Sequence, residues 1–475
     1  MIRYKFRVLA QGLALSALVL GAGCTKESLE PTVDRSVDFD KINTVPLLRT
    51  VMDGAYEKMS SSDYYGRNVI ILGEVRSDNC VANGSSNRYT AVSAGTITTS
   101  NGDATDAWTE IYATNLQANG VIALENKDLE GDQAMKKAIV GEAYAMRALA
   151  HYDLFRLFGA MHVNGAKAGI PYVTEYPPKN LTPSRNTADE IKAQLYQDLD
   201  KAISMMPAPK IDGGKKFKQR LNLYAAYVIK ARVALYFSDW ATAKTCAEAV
   251  EASNAFRIIS KGEYVQSWRL KLNPNSIFEL AYSESDNPSI NGLANIYQGD
   301  GYGDISATKE IKAAFEPGDV RGGDDMIGEN EDLKAEKPDL PFFLANLGKY
   351  VDWRRNTDNI PLMRFEEVKL IKAEALFRLG DNAGALAALN EITAARGASA
   401  YAAVDEDAIL LERRRELCFE GFRFDDLARF KRDIPACDVG GWTKSAPQYG
   451  DKLFALPIPN KEISANANIG QNPGY

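Results

Sequence analysis

Apolar residues recur along most of this chain at three- and four-residue spacing, the period of a helix with one buried face. Over 106–123 that face carries Trp108, Ile111, Tyr112, Leu116 and Val121. Over 133–158 it carries Ala143, Ala148, Tyr152 and Phe155, and Gly159 marks the stop. A third helix is predicted over 187–205. Thr187 stands as its N-cap and Glu190 three residues on, a capping-box pattern, and Pro207 follows its end. Two helical pairs come next, 221–237 with 240–253 and 361–379 with 382–396, the second joined at Gly380-Asp381. Each first helix ends in aromatics or Leu, and each second helix carries small residues at helical spacing. Examples are Trp240-x-x-Ala243-x-x-x-Ala247 and Ala385-Leu386-x-x-Leu389. Small alanines let antiparallel helices approach while the larger residues fill the remaining gap, the physics of tetratricopeptide-like pairs. The predicted fold is therefore mainly α: a tetratricopeptide-like superhelix of helical pairs with long loop insertions and a few short strands.

The insertions differ in pattern. Residues 60–104 are rich in Ser, Asn, Gly and Tyr. Residues 256–305 hold a short strand pattern over 276–282 and then run through Asn287-Pro288 and a Gly-Asp-Gly-Tyr-Gly stretch at 299–303. Residues 316–345 are acidic, contain Gly and Pro, and show little periodicity. Long loops on a rigid helical base are where function concentrates.

The N-terminus breaks the helical pattern. Arg3, Lys5 and Arg7 precede a nearly continuous apolar run over 8–20, too short for a bilayer core that takes about 20 residues. Gly21-Ala22-Gly23 and Cys24 follow. This order is that of a signal peptide ending in a lipobox, although Gly21 stands where Leu is usual. An ordinary secretory signal with a chance cysteine is the alternative. Cleavage before Cys24 and lipid on its thiol give residues 1–23 as signal peptide and 24–40 as a polar, acidic tether. The rest divides into an N-terminal helical region, 41–255, and a C-terminal region, 256–475.

Composition narrows the function classes. The chain is 45% hydrophobic and 25% charged, as folded globular proteins are. Its formal charge is −7, and loss of the three basic leader residues gives −7 − 3 = −10. With no basic cluster beyond Arg413-Arg414-Arg415, it is a poor nucleic-acid binder. Only His151 and His162 are present, which argues against His-rich metal sites and catalytic triads. Beyond Cys24 the cysteines are 80, 246, 418 and 437, with no CxxC spacing. Cys246 and Cys418 lie in helical patterns and read as buried apolar residues, and a Cys418–Cys437 disulfide has nothing to support it.

Several acidic groups look catalytic at first sight. Glu412, Glu416 and Glu420 fall at i, i+4 and i+8 beside Arg415 and Arg423, and Arg364, Glu366, Glu367 and Glu374 form a similar set. Paired charges at helical spacing read as an ion-pair network docking a helix. Asp324-Asp325 and 329–332 offer carboxylates for calcium, but their spacing fits no EF-hand and they read as a solvated acidic loop. Trp108 and Trp240 fall on apolar faces and read as core. Aromatics outside the helices, among them Tyr64, Tyr65, Trp268, Trp353 and Trp442, are free to stack on sugar faces or peptide side chains.

Taken in order, the motifs resemble the SusD/RagB family of outer-membrane nutrient-uptake lipoproteins. The N-terminal half shows Trp108-x-x-x-Tyr112, Asn119, GEAYAMRALAHYDLFRLFG at 141–159 and Ser184-Arg185-Asn186-Thr187. The C-terminal half shows PLMRFEEVKLIKAEALFRLG at 361–380, ERRRELCFEGFRFDDLARF at 412–430 and LPIPNKEISANANIGQNPGY at 456–475. The resemblance covers nearly the whole chain. It implies a non-catalytic lid on a SusC-like TonB-dependent outer-membrane barrel, held at the cell surface by lipid, binding a glycan or peptide oligomer without a cofactor. Lys26-Glu27 after Cys24 is compatible with surface export in that family's hosts. A surface glycoside hydrolase on a helical scaffold is the alternative, but no acid–nucleophile motif is present. The 60–104 and 276–305 insertions are expected to build the binding surface, with Asp78, Asn79, Tyr89, Tyr282, Tyr297 and Tyr302 as its contact residues.

Overall fold

A polar cap opens the third predicted helix where the pattern places it, and the first begins at Gly102, four residues before its predicted start. In the computed structural model, which describes residues 39–210, 215–298, 302–339 and 343–475, Thr187 caps helix Ala188–Met205 through the predicted capping box. The Glu190 amide donates to Thr187 Oγ1 at 3.3 Å and the Thr187 amide to Glu190 Oε2 at 2.8 Å. Asn101, Asp132, Asn222, Asp239 and Asp381 cap other helices in the same way, each accepting from an amide of the first turn. The expected cleavage site before Cys24 and most of the expected tether lie outside the described residues.

Two compact units result. The first, 1–42, contributes one 3-10 turn, Phe39–Lys41. The second, 43–475, holds the rest. Its main helices are α1 (Val45–Ser60), α2 (Asn68–Val75), α3 (Gly102–Ala123), α4 (Gln133–Phe158), α5 (Ala188–Met205), α6 (Leu223–Tyr236) and α7 (Trp240–Glu251). After the second insertion come α8 (Phe365–Arg378), α9 (Asn382–Arg396), α10 (Glu406–Leu417) and α11 (Arg423–Arg429). From α3 to α9 each helix packs against the next, and α7 packs on α8 across the 110-odd residues between them, as a tetratricopeptide-like stack requires. The small-residue grammar shows in the core. Ala231, Ala234 and Leu235 of α6 meet Ala243 and Cys246 of α7 and Ile371 and Ala375 of α8. Leu370 of α8 meets Leu389 and Ile392 of α9 and Ile409 of α10. Each buried Leu or Ile among them contributes about 1.5–3 kcal/mol by burial alone. No described helix is long and apolar enough to cross a membrane.

Two helical expectations are corrected. Residues 360–364 are not the start of α8 but strand β6 (Ile360–Arg364), paired antiparallel with β2 (Ser276–Leu280). A short apolar run does not distinguish helix from strand, and Pro361 is tolerated because this ladder has only two strands. Glu420 is not on the helix of Glu412 and Glu416. That helix ends at Leu417, and Phe419 (φ 67°) and Gly421 (φ 85°) turn the chain through left-handed conformations. The acidic insertion is more ordered than its pattern predicts: β4 (Ile327–Glu329) and β5 (Leu344–Asn346) form an antiparallel pair around a short helix, Glu331–Glu336. Its carboxylates face lysines, Asp324 at 2.8 Å from Lys312 and Glu329 at 2.5 Å from Lys334. Cys80, Cys246, Cys418 and Cys437 are free thiols.

Candidate functional site

The predicted contact residues separate sharply on burial. Asp78 is 2% exposed and binds Arg423 Nε at 2.7 Å and Arg414 Nη2 at 3.1 Å. Burial would raise its pKa, but the Arg423 and Arg414 guanidiniums together outweigh burial and hold it below the usual carboxylate value. Asn79 is fully buried, donating to Glu74 Oε2 at 3.1 Å and accepting from Arg414 Nε at 2.8 Å. The Tyr89 hydroxyl accepts from Arg67 Nε at 2.7 Å and donates to Asn68. Tyr282 donates to the Ser60 carbonyl at 2.6 Å. Tyr297 donates to the Phe419 carbonyl at 3.3 Å and stacks on Tyr350. All three rings are buried, and burial pushes each phenol above its usual pKa. The expectation that these side chains stand free for a ligand is therefore corrected for Asp78, Asn79, Tyr89, Tyr282 and Tyr297. Each is held by partners far away in sequence. Tyr64, Tyr65 and Trp268 are buried as well.

Tyr302 differs. It is half-buried, and the Arg88 guanidinium lies over its ring, 4.2 Å from the centroid. Strand pairing brings these residues together. β1 (Cys80–Ala82) runs antiparallel to β3 (Ile305–Ala307), and the Asn83 amide extends the ladder to the Asp304 carbonyl at 2.8 Å. The loop leaving β1 then folds over the loop entering β3. The Ser86 amide donates to Asp304 Oδ1 at 2.7 Å, and Asn83 Nδ2 donates to the Gly303 carbonyl at 2.7 Å. Arg88 Nη2 donates to Asn291 Oδ1 at 3.1 Å, and Lys337 from the acidic insertion reaches Ser85 Oγ. Gly84 (φ +72°) lies under the Trp442 ring, so close that a Cβ would sit 2.9 Å from it. Trp353 is half-buried, with Arg354 over its face at 4.4 Å.

Within this cluster, Ser86 Oγ, Arg88 Nη1, Asp304 Oδ2 and Trp442 Nε1 are buried with no hydrogen-bond partner among the described residues. Each unmet group costs about 1–3 kcal/mol if nothing completes it. Two donors, a carboxylate oxygen and a hydroxyl beside a part-exposed ring form a set matched to a polyhydroxylated molecule. Pattern reading missed Arg88, Ser86, Asn291 and Asp304. Arg88 adjoins the chosen Tyr89, but only the left-handed turn at Tyr89 (φ 57°) decides which of the two faces inward.

The groups that look catalytic are held elsewhere. Glu412 and Glu416 are fully buried against Arg321, and the Glu420 side chain, 5% exposed, pairs with Lys349 and Arg364. His151 is buried and stacked on Tyr172, its Nε2 accepting from the Val173 amide at 2.9 Å. Burial pushes its pKa down to about 3. His162 packs on Tyr449 and is lowered to about 4 by burial.

Comparisons with known proteins agree with this architecture. A family model described as "Starch-binding associating with outer membrane" matches residues 28–235, and one described as "SusD family" matches 345–475. SusD-like protein P38 of Formosa agariphila is 25% identical over 437 residues, covering 78% of this chain and 79% of its own. A SusD superfamily protein from Bacteroides thetaiotaomicron superposes with a TM-score of 0.81 at 26% identity, covering 90% of this chain and all of the other. A laminarin-binding SusD-like protein superposes with a TM-score of 0.74 at 22% identity, covering 91% of this chain and all of its own. Two family models of one family in chain order, joined by a helical stack that superposes on solved members almost end to end, place this chain in the SusD/RagB family.

Proposed function

We propose that this protein is a non-catalytic outer-membrane lipoprotein. It binds an oligosaccharide at the cluster around Tyr302 and Arg88 and delivers it to a SusC-like TonB-dependent barrel. The observation that carries the ligand class is the set of unmet polar atoms, Ser86 Oγ, Arg88 Nη1, Asp304 Oδ2 and Trp442 Nε1, gathered beside a part-exposed aromatic. Vicinal sugar hydroxyls both donate and accept, so they satisfy such a mixed set, while the ring packs on the C–H face. The family description as starch-binding and the laminarin-binding relative support the same class. The full burial of Glu412 and Glu416 under guanidinium groups supports a binding role rather than glycoside hydrolysis, which needs two carboxylates open to a cleft.

Calorimetry with laminarihexaose, maltohexaose, xylohexaose and mannohexaose tests the reading. For whichever hexaose binds, Tyr302→Ala and Arg88→Ala are each expected to weaken affinity by about 5- to 30-fold, the equivalent of about 1–2 kcal/mol. The melting temperature of each variant serves as the folding control. If both variants bind as the parent does, the site lies elsewhere.

Anchorage and partnership rest on the leader pattern, the outer-membrane description of the matching family and the family resemblance. Mild-detergent extraction from native membranes is expected to yield the protein together with a β-barrel, and Cys24→Ala to remove it from the membrane fraction. Unchanged membrane attachment in the variant, or extraction of the parent without any barrel, overturns that part of the proposal.

A further inference from the structure

A second concave surface lies on the opposite side of α3. Asp103, Asp106 and Glu110 follow i, i+3, i+7 on the side facing Asn68 and Lys58. Trp108, Tyr112 and Leu116 follow i, i+4, i+8, about half a turn of the helix away. They form one wall of a groove of about 300 Å³, at the lower end of the size range of small-ligand sites. The second wall is the loop from Pro171 to Pro183, and the third comes from the C-terminal segment with Glu462 and Ile469.

Three observations identify what fits. First, the walls are apolar beyond what a buried surface explains: Leu181 is 80% exposed and Leu116 36%, so apolar area stands open at the mouth. Second, the groove holds an unmet acceptor. Asn115 is 1% exposed, its Nδ2 committed to the Val173 carbonyl at 3.0 Å, and its Oδ1 is buried with no partner among the described residues. Pro171, Pro178 and Pro183 bring no N–H groups to the lining. The Tyr112 hydroxyl already donates to the Pro171 carbonyl at 2.7 Å. Third, the half-buried Glu462 carboxylate, which lines the groove together with Tyr112, has no ion pair among the described residues. Arg185 also acts on the Tyr112 phenol. Its donors are engaged by the Gly169, Ala168 and Gly470 carbonyls and by Asn472. Lys179 faces Glu175 at 3.5 Å.

We propose that this groove binds an amine or guanidine carried on an apolar stem, with the stem between Leu116 and Leu181 and the cationic head at Glu462 and Asn115 Oδ1. Aromatic faces, a lone carboxylate and an unmet acceptor complement a cation that brings its own N–H donors. An anionic or purely accepting ligand would leave both acceptors unmet and face Glu462 directly. The same chemistry reaches a surface protein as a free alkylamine or as a Lys or Arg side chain of a peptide.

The test is calorimetric titration of the full lipoprotein in mild detergent with butylamine and butyrate, and with N-acetyl-Leu-Lys-amide and N-acetyl-Leu-Glu-amide. At least one amine probe is expected to bind at about millimolar affinity or tighter, and about 10-fold more tightly than its carboxylate match. Binding of butylamine points to a free amine, and binding of the lysyl peptide alone to a peptide source. E462Q is expected to erase the preference, and L181S to weaken amine binding while leaving hexaose binding at the Tyr302 cluster intact. Melting temperatures of both variants serve as the folding control. Equal binding of amine and carboxylate, a preference that survives in E462Q, or no amine binding up to about 10 mM overturns the proposal.

Discussion

Replacing Glu416 by alanine is expected to destabilise the protein by about 3–5 kcal/mol, the usual consequence of removing one partner from a buried charge cluster. Three guanidiniums converge on this carboxylate: Arg396 at 2.9 Å through both Nε and Nη2, Arg364 Nη1 at 3.0 Å and Arg321 Nη1 at 3.2 Å. All four side chains are at most 3% exposed. Burial would raise the pKa of Glu416, but the Arg396 and Arg364 charges outweigh burial and hold it well below the usual range. Its stabilisation is therefore complete above about pH 4.5, the unfolded value, and fades as pH falls below it. The four residues come from the acidic insertion, β6, the end of α9 and α10, so one carboxylate ties together segments almost a hundred residues apart. Urea denaturation of Glu416→Ala should show a lower midpoint at unchanged slope. Arg257→Ala, which breaks an Arg257–Glu263 pair about half exposed on both sides, should cost less than about 1 kcal/mol. Equal losses in the two variants would mean that burial does not set the strength of this network.

The same network marks the boundary of what the sequence pattern can reveal. The Thr187 capping box, the Gly380-Asp381 turn and the alanine stripes were legible because each depends on residues within about four positions of one another. The ion-pair reading of Glu412 and Glu416 was legible for the same reason. Glu420 meets Arg364 only because a left-handed turn carries it back, and helical spacing says nothing about such turns. The loops fail more completely. Tyr282 is held by Ser60 and Tyr297 by Phe419, more than a hundred residues away in each case. An aromatic among Gly, Asn and Ser marks where the chain turns, and turning brings some rings back into the core. Tyr302 and Tyr297 are five residues apart with similar neighbours. Only the β1–β3 pairing, a contact across more than two hundred residues, leaves one half-exposed and the other enclosed. The Asn115–Glu462 groove was invisible for a related reason, since its three walls come from three distant segments.

Glu74 should give this protein a stability that declines through neutral pH. The residue sits near the end of α2, fully buried, where Gly73 approaches the Gly421 turn so closely that a Cβ would lie 2.3 Å from its carbonyl oxygen. The Gly421 amide donates to Glu74 Oε1 at 2.7 Å and Asn79 Nδ2 to Oε2 at 3.1 Å. Burial pushes its pKa up to about 7, and these two hydrogen bonds and Lys349 offset burial only in part. With an unfolded value near 4.5, the folded state binds the proton more tightly, so stability is full below about pH 4.5 and falls as pH rises to about 7. The loss amounts to about 3 kcal/mol above pH 7, at 1.36 kcal/mol per pKa unit. The histidines act in the opposite sense. His151 and His162 are lowered to about 3 and 4, so the unfolded state takes up their protons first, and stability from them rises with pH up to about 6.5. The raw pH profile therefore mixes the two, and the difference between the parent and Glu74→Gln isolates the carboxyl. The variant should match the parent most closely near pH 5 and gain on it by up to about 3 kcal/mol at pH 8, measured by urea denaturation across that range. A constant offset between the two at every pH would show that Glu74 titrates in the fold as it does in the unfolded chain.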